Sequence, residues 1–100
     1  MDHDLARQIE ETHRKTQQTR LQFLTTELEV CFSTIDFGTF ELEQGNRDMA
    51  DKEALLAARG IATIEKFLPE LDDAGERHSI QIRLDKLRQS LEAFELKLKK

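Results

Sequence analysis

The chain has 100 residues, of which 35% are charged and 38% hydrophobic, and a formal charge of −5. That length supports one domain with a single modest core, because a chain of this size buries roughly 60–65% of the surface it exposes when unfolded. No second lobe is left to close a substrate cleft, and four Gly, one Pro, no Trp and no Tyr argue against a sandwich or a barrel.

The expectation is an all-α domain over residues 1–100 that is not an enzyme and carries no cofactor. A net acidic surface disfavours nucleic acid as a partner, since phosphate neutralisation requires bases. The single cysteine, Cys31, cannot form an internal disulfide, which fits a reducing, cytoplasmic setting. No run approaches the ~20 apolar residues of a membrane span, and no basic segment followed by an apolar run opens the chain, so neither membrane insertion nor export is expected. Charge is uneven: residues 1–20 balance, 21–50 sum to −5, 51–75 to −3 and 76–100 to +3.

Asp2 or Asp4 can cap a first helix of up to about 40 residues that meets no Pro and ends at Gly45-Asn46, a pair suited to a C-cap and tight turn. Its residues Leu21, Leu24, Leu28, Cys31, Ile35 and Leu42 form one stripe, with Phe32 at its edge and Gly38 in the missing position. At about 100° per residue, Phe23, Val30 and Phe37 lie seven apart on nearly the opposite side, with Phe40 between the faces. A three-helix bundle covers only one of these stripes. The second calls for another molecule, most simply a second copy in a homodimer, with Phe23, Val30, Phe37 and Phe40 as anchors.

Residues 1–20 are expected to form a polar helical extension, in which residues 5–20 offer only Leu5, Ala6 and Ile9 as apolar contacts, and 21–100 the bundle core. A helix of ~60 Å overhangs a 100-residue globule whose radius of gyration is about 13 Å, which again points to a partner. Asn46 or Asp48 can cap the second helix, whose Ala50, Ala54, Ala57, Ile61, Ile64 and Leu68 are spaced 4-3-4-3-4 and which closes near Pro69. Gly60 in its middle marks a close helix crossing. Asp72-Asp73-Ala74-Gly75 reads as a turn, followed by a third helix with Ile80, Leu84, Leu87, Leu91, Phe94 and Leu98 in the same spacing. Three antiparallel helices with short connections are the economical topology.

Phe37-Gly38, then Gly45-Asn46-Arg47-Asp48-Met49-Ala50, then Ala57 fall at the offsets of a tetratricopeptide-type helical hairpin. The chain resembles that family over about residues 31–62, departing from it at Thr34, where a large aromatic belongs, and at Ala62, where the closing Pro belongs. The resemblance implies hairpin geometry and protein interaction. It implies no ligand-binding residue, since the family's groove takes three or more units.

Glu10-x-x-His13 has the i, i+3 spacing of a bundle metal ligand pair, and a small metal-binding helical protein is the alternative function. A dinuclear site needs two such pairs and two more Glu, and the surroundings Glu11, Arg14, Lys15 and Gln17 read as solvated, so no metal is expected. Asp36-Phe37-Gly38 spells a kinase signature without the catalytic Lys, His-Arg-Asp loop or Gly-rich loop that give it meaning. Cys31 sits on the core stripe as a small hydrophobe. The bases of the third helix, Arg77 to Lys100, read as a solvated face and a C-terminal dipole complement, or as a surface for an acidic partner.

Overall fold

The computed structural model describes residues 2–100 and is an all-α three-helix bundle. Helix α1 spans Asp2–Glu43, α2 Arg47–Phe67 and α3 Ala74–Leu98, with a single 3₁₀ turn, Leu68–Glu70, after α2. The molecule measures 66 × 20 × 15 Å with a radius of gyration of 17.8 Å, well above the roughly 13 Å of a compact chain of this length. The elongation is that of α1, whose 42 residues outrun the other two helices.

The connections follow local chemistry. Gly45 takes φ +81°, where any other residue would be strained. Its N–H donates to Leu42 O (3.0 Å) and that of Asn46 to Glu41 O (2.8 Å), the paired pattern of a Schellman cap. Asn46 is the N-cap of α2, but its side chain donates to Glu41 Oε2 (2.7 Å) instead of accepting from the helix. Pro69 lies inside the 3₁₀ turn, where its missing N–H leaves no helical bond unmade.

Two local expectations are revised. Ala74 and Gly75 belong to the first turn of α3, because Asp73 accepts from Glu76 N (2.8 Å) and starts the helix there. Asp4 does not cap α1 but lies within its first turn, 3.6 Å from Arg7; the capping role expected of Asp2 rests on a side chain outside those described.

One core runs along the bundle. Leu24, Leu28, Cys31 and Ile35 of α1, Ala50, Ala57, Ile61 and Ile64 of α2, Leu68 of the turn, and Ile80, Leu84, Leu87, Leu91 and Phe94 of α3 are buried. Leu21, Phe32, Leu42, Ala54 and Leu98 flank them. Leu71, fully buried in the α2–α3 connection, completes the set. Small residues set the helix separations: a Cβ on Gly38 would stand 2.7 Å from Phe94 Cζ, and one on Gly60 would stand 2.2 Å from Cys31 Sγ.

The α2–α3 connection is clamped to the middle of α1. Gln17 donates to Glu70 O (3.3 Å) and accepts from Asp72 N (2.8 Å), Arg20 reaches Glu70 O (3.2 Å), and His13 hydrogen-bonds with Asp72 Oδ2 at 2.5 Å. His13, Gln17 and Arg20 lie on one face at i, i+4 and i+7. Residues 3–12 project past this clamp.

Candidate interaction surface

The four aromatic and branched side chains of the second α1 stripe are exposed: Phe23 by 40%, Val30 by 52%, Phe37 by 49% and Phe40 by 54%. They are not equivalent. Phe23 meets Phe67 of α2 edge-on, ring centroids 5.8 Å apart, and Lys66 Nζ stands 5.5 Å from the opposing Phe67 ring. Phe23 therefore contributes to the bundle as well as to its surface. Phe37 borders a shallow depression with Val30, Ser33 and Glu53, whereas Phe40 borders one with Ala93, Phe94 and Lys97 of α3.

An open groove of about 540 Å³ is formed by Thr12, Thr16, Thr19 and Phe23 along α1, edged by Lys15 and Arg20 and ended by Phe67. Its threonines are not apolar and so fall outside a reading of apolar stripes, although Thr12, Thr16 and Thr19 continue the 4-3 steps that run back from Phe23 to Leu5. Helix α1 thus offers one exposed, mostly uncharged strip on either side of Phe23.

The other candidate chemistry is not assembled. His13 is engaged with Asp72, and among the described residues no three His, Cys, Asp or Glu side chains converge as metal ligands. Cys31 is buried with its Sγ 3.9 Å from Ala57 O. Burial, aided by the nearby Glu27 carboxylate, raises its thiol from 9.0 to about 11, so it is protonated and a poor nucleophile at neutral pH.

The basic helix α3 directs part of its charge inward. Arg77 donates to the carbonyls of Leu71 and Asp72, closing the end of the α2–α3 connection, and Arg88 bridges Glu65 (3.0 Å) and Asp85 (3.2 Å). From α2, Arg47 donates to Leu98 O and ties the far ends together. Among the described residues no helix is long and apolar enough to cross a membrane. No family model, curated protein or solved structure matches the chain.

Proposed function

We propose that this chain is a non-catalytic interaction module that self-associates through α1 as a homodimer, with Val30, Phe37 and Phe40 as the anchors and Phe23 shared between bundle and interface. The observation that carries this reading is the exposure of a second apolar stripe on a helix whose first stripe already supplies the bundle core. Aromatic and branched side chains in register form the apolar centre that an interface requires. The close-packed α1–α2 hairpin suits a tetratricopeptide-like scaffold for protein contact, and the buried, reduced Cys31 suits a cytoplasmic setting.

Sedimentation tests the reading. The parent chain is expected to sediment as a dimer at micromolar concentration, and Val30→Glu with Phe37→Glu is expected to give a monomer with unchanged helicity. A parent chain that sediments as a monomer at all accessible concentrations overturns self-association.

A further inference from the structure

We propose that α1 pairs with α1 of a second copy as an antiparallel coiled coil running the whole helix, the N-terminal overhang included; the inference rests on the self-association reading and adds to it a seam and an orientation. Starting at Leu5 and stepping by 4 and 3, the positions reached are 5, 9, 12, 16, 19, 23, 26, 30, 33, 37 and 40. Each of them is exposed, and none is charged, in a chain with 35% charged residues. The spacing is that of a coiled-coil seam held for about 50 Å. Leu5, Ile9, Phe23, Val30, Phe37 and Phe40 supply its apolar side chains; the others are Thr or Ser. Thr12 and Thr16 donate their hydroxyls to Gln8 O (2.8 Å) and Thr12 O (2.9 Å), so these two hydroxyls are satisfied within the helix itself.

The other exposed apolar residues make no such seam. On α2, Met49 and Leu56 have Lys52 between them and Leu55 has Asp51 and Arg59 four positions to either side; on α3, Ile82 and Leu96 enclose Asp85 and Glu92 at the matching steps. Among the described residues, no line of comparable length on α2 or α3 is both exposed and free of charge.

The positions flanking that line give the direction. Of α1's own flanking positions, those beside the first half of the line carry Lys15 and Arg20 and no acid, while Glu70 and Asp72 of the α2–α3 connection engage Arg20 and His13 there and leave Lys15 as the base without such a partner. Beside its second half stand Glu27, Glu29, Asp36, Glu41 and Glu43 and no base. Parallel pairing would set these acids against each other. Antiparallel pairing sets the basic half against the acidic half, and flanking charges of this kind fix orientation more than they add affinity. A midpoint between Leu24 and Thr25 brings Lys15 beside the partner's Asp36. It also places the partner's Phe37 over Thr12, at the open groove, and the partner's Phe40 beside Ile9.

A spin label on Glu11→Cys tests the orientation, because Glu11 is exposed while the buried native thiol reacts slowly. The antiparallel arrangement is expected to give an inter-label distance of about 40 Å, from the 1.5 Å rise per residue on either side of the midpoint. A dimer with a distance below about 20 Å is parallel and overturns this inference while leaving self-association intact. A monomer by sedimentation overturns both. A second arm uses charge: Lys15→Glu, which alters the pair twice in a symmetric dimer, is expected to weaken the dimer about twofold to thirtyfold, as for two exposed ion pairs, and addition of Asp36→Lys to restore it. Failure of the second substitution to restore affinity excludes the proposed register.

Discussion

Cys31 and Gly60 share one site at the crossing of α1 and α2: the sulfur occupies the space that any side chain on Gly60 would need, only 2.2 Å from the position of a Cβ. Gly60→Ala gains up to about 1 kcal/mol of helix propensity but must displace a buried neighbour, which typically costs about 1–3 kcal/mol. The expected result is a lower Tm. Cys31→Ala alone also destabilises, through loss of a buried thiol. The two together are expected to cost less than their sum, because the truncated residue leaves room for the new methyl. Thermal unfolding of the four proteins measures the coupling, and strict additivity would show that the backbone, not the sulfur, limits the approach.

The same burial makes Cys31 a sensor of alkaline pH. Its folded thiol ionises near 11, against 9.0 for the ordinary group, with desolvation the larger cause and Glu27 the smaller. A raised folded value means that the stabilisation is present below pH 9 and is lost as pH climbs toward 11. Denaturant titrations at pH 8 and pH 10.5 are expected to show this decline, and Cys31→Ser is expected to flatten it. Thiolate absorbance in the native chain should rise with a midpoint near 11 rather than near 9.

Asp73 carries the start of α3. Its carboxylate accepts from Glu76 N at 2.8 Å, so Asp73→Ala leaves that donor unsatisfied at the N-terminus of the helix. The expected cost is about 1 kcal/mol, or a fall in Tm of roughly 4–8 °C for a domain of this size. Asp73→Asn is expected to retain most of the stability, since its side-chain oxygen can accept the same bond.

Much of this fold is legible in the residue order, and the exceptions have physical reasons. The three stripes of 3-4 spacing become the core because each helix is sided by its own period, and Gly45-Asn46 becomes a cap because only a residue without Cβ tolerates the turn. Leu71 escapes such reading. It lies in extended backbone between two helices and belongs to no period, yet it is fully buried. The clamp of Gln17 and Arg20 on the connection is equally silent, since it joins polar residues some fifty positions apart. The surface is half legible: a period of seven marks Phe23, Val30 and Phe37 as one exposed line, but the edge-on contact of Phe23 with Phe67 depends on how α2 crosses α1.

That clamp separates two functions along α1, and truncation should resolve them. His13, Gln17 and Arg20 tie the helix to Glu70 and Asp72, whereas residues 3–12 are all exposed and lie outside the core. Removing residues 1–12 therefore takes little apolar surface from the bundle, and the Tm measured at a concentration where the parent is monomeric is expected to change by no more than about 2 °C, the range of a surface substitution. Self-association is expected to respond differently. Leu5 and Ile9 are the apolar positions of the seam before its run of threonines, and a buried aliphatic side chain contributes about 1.5–3 kcal/mol relative to an exposed one. Their loss should weaken the dimer at least tenfold by sedimentation equilibrium, with Leu5→Ser and Ile9→Ser in the full chain giving the same loss. A truncated chain that dimerises as tightly as the parent would confine the interface to Phe23 and the residues after it.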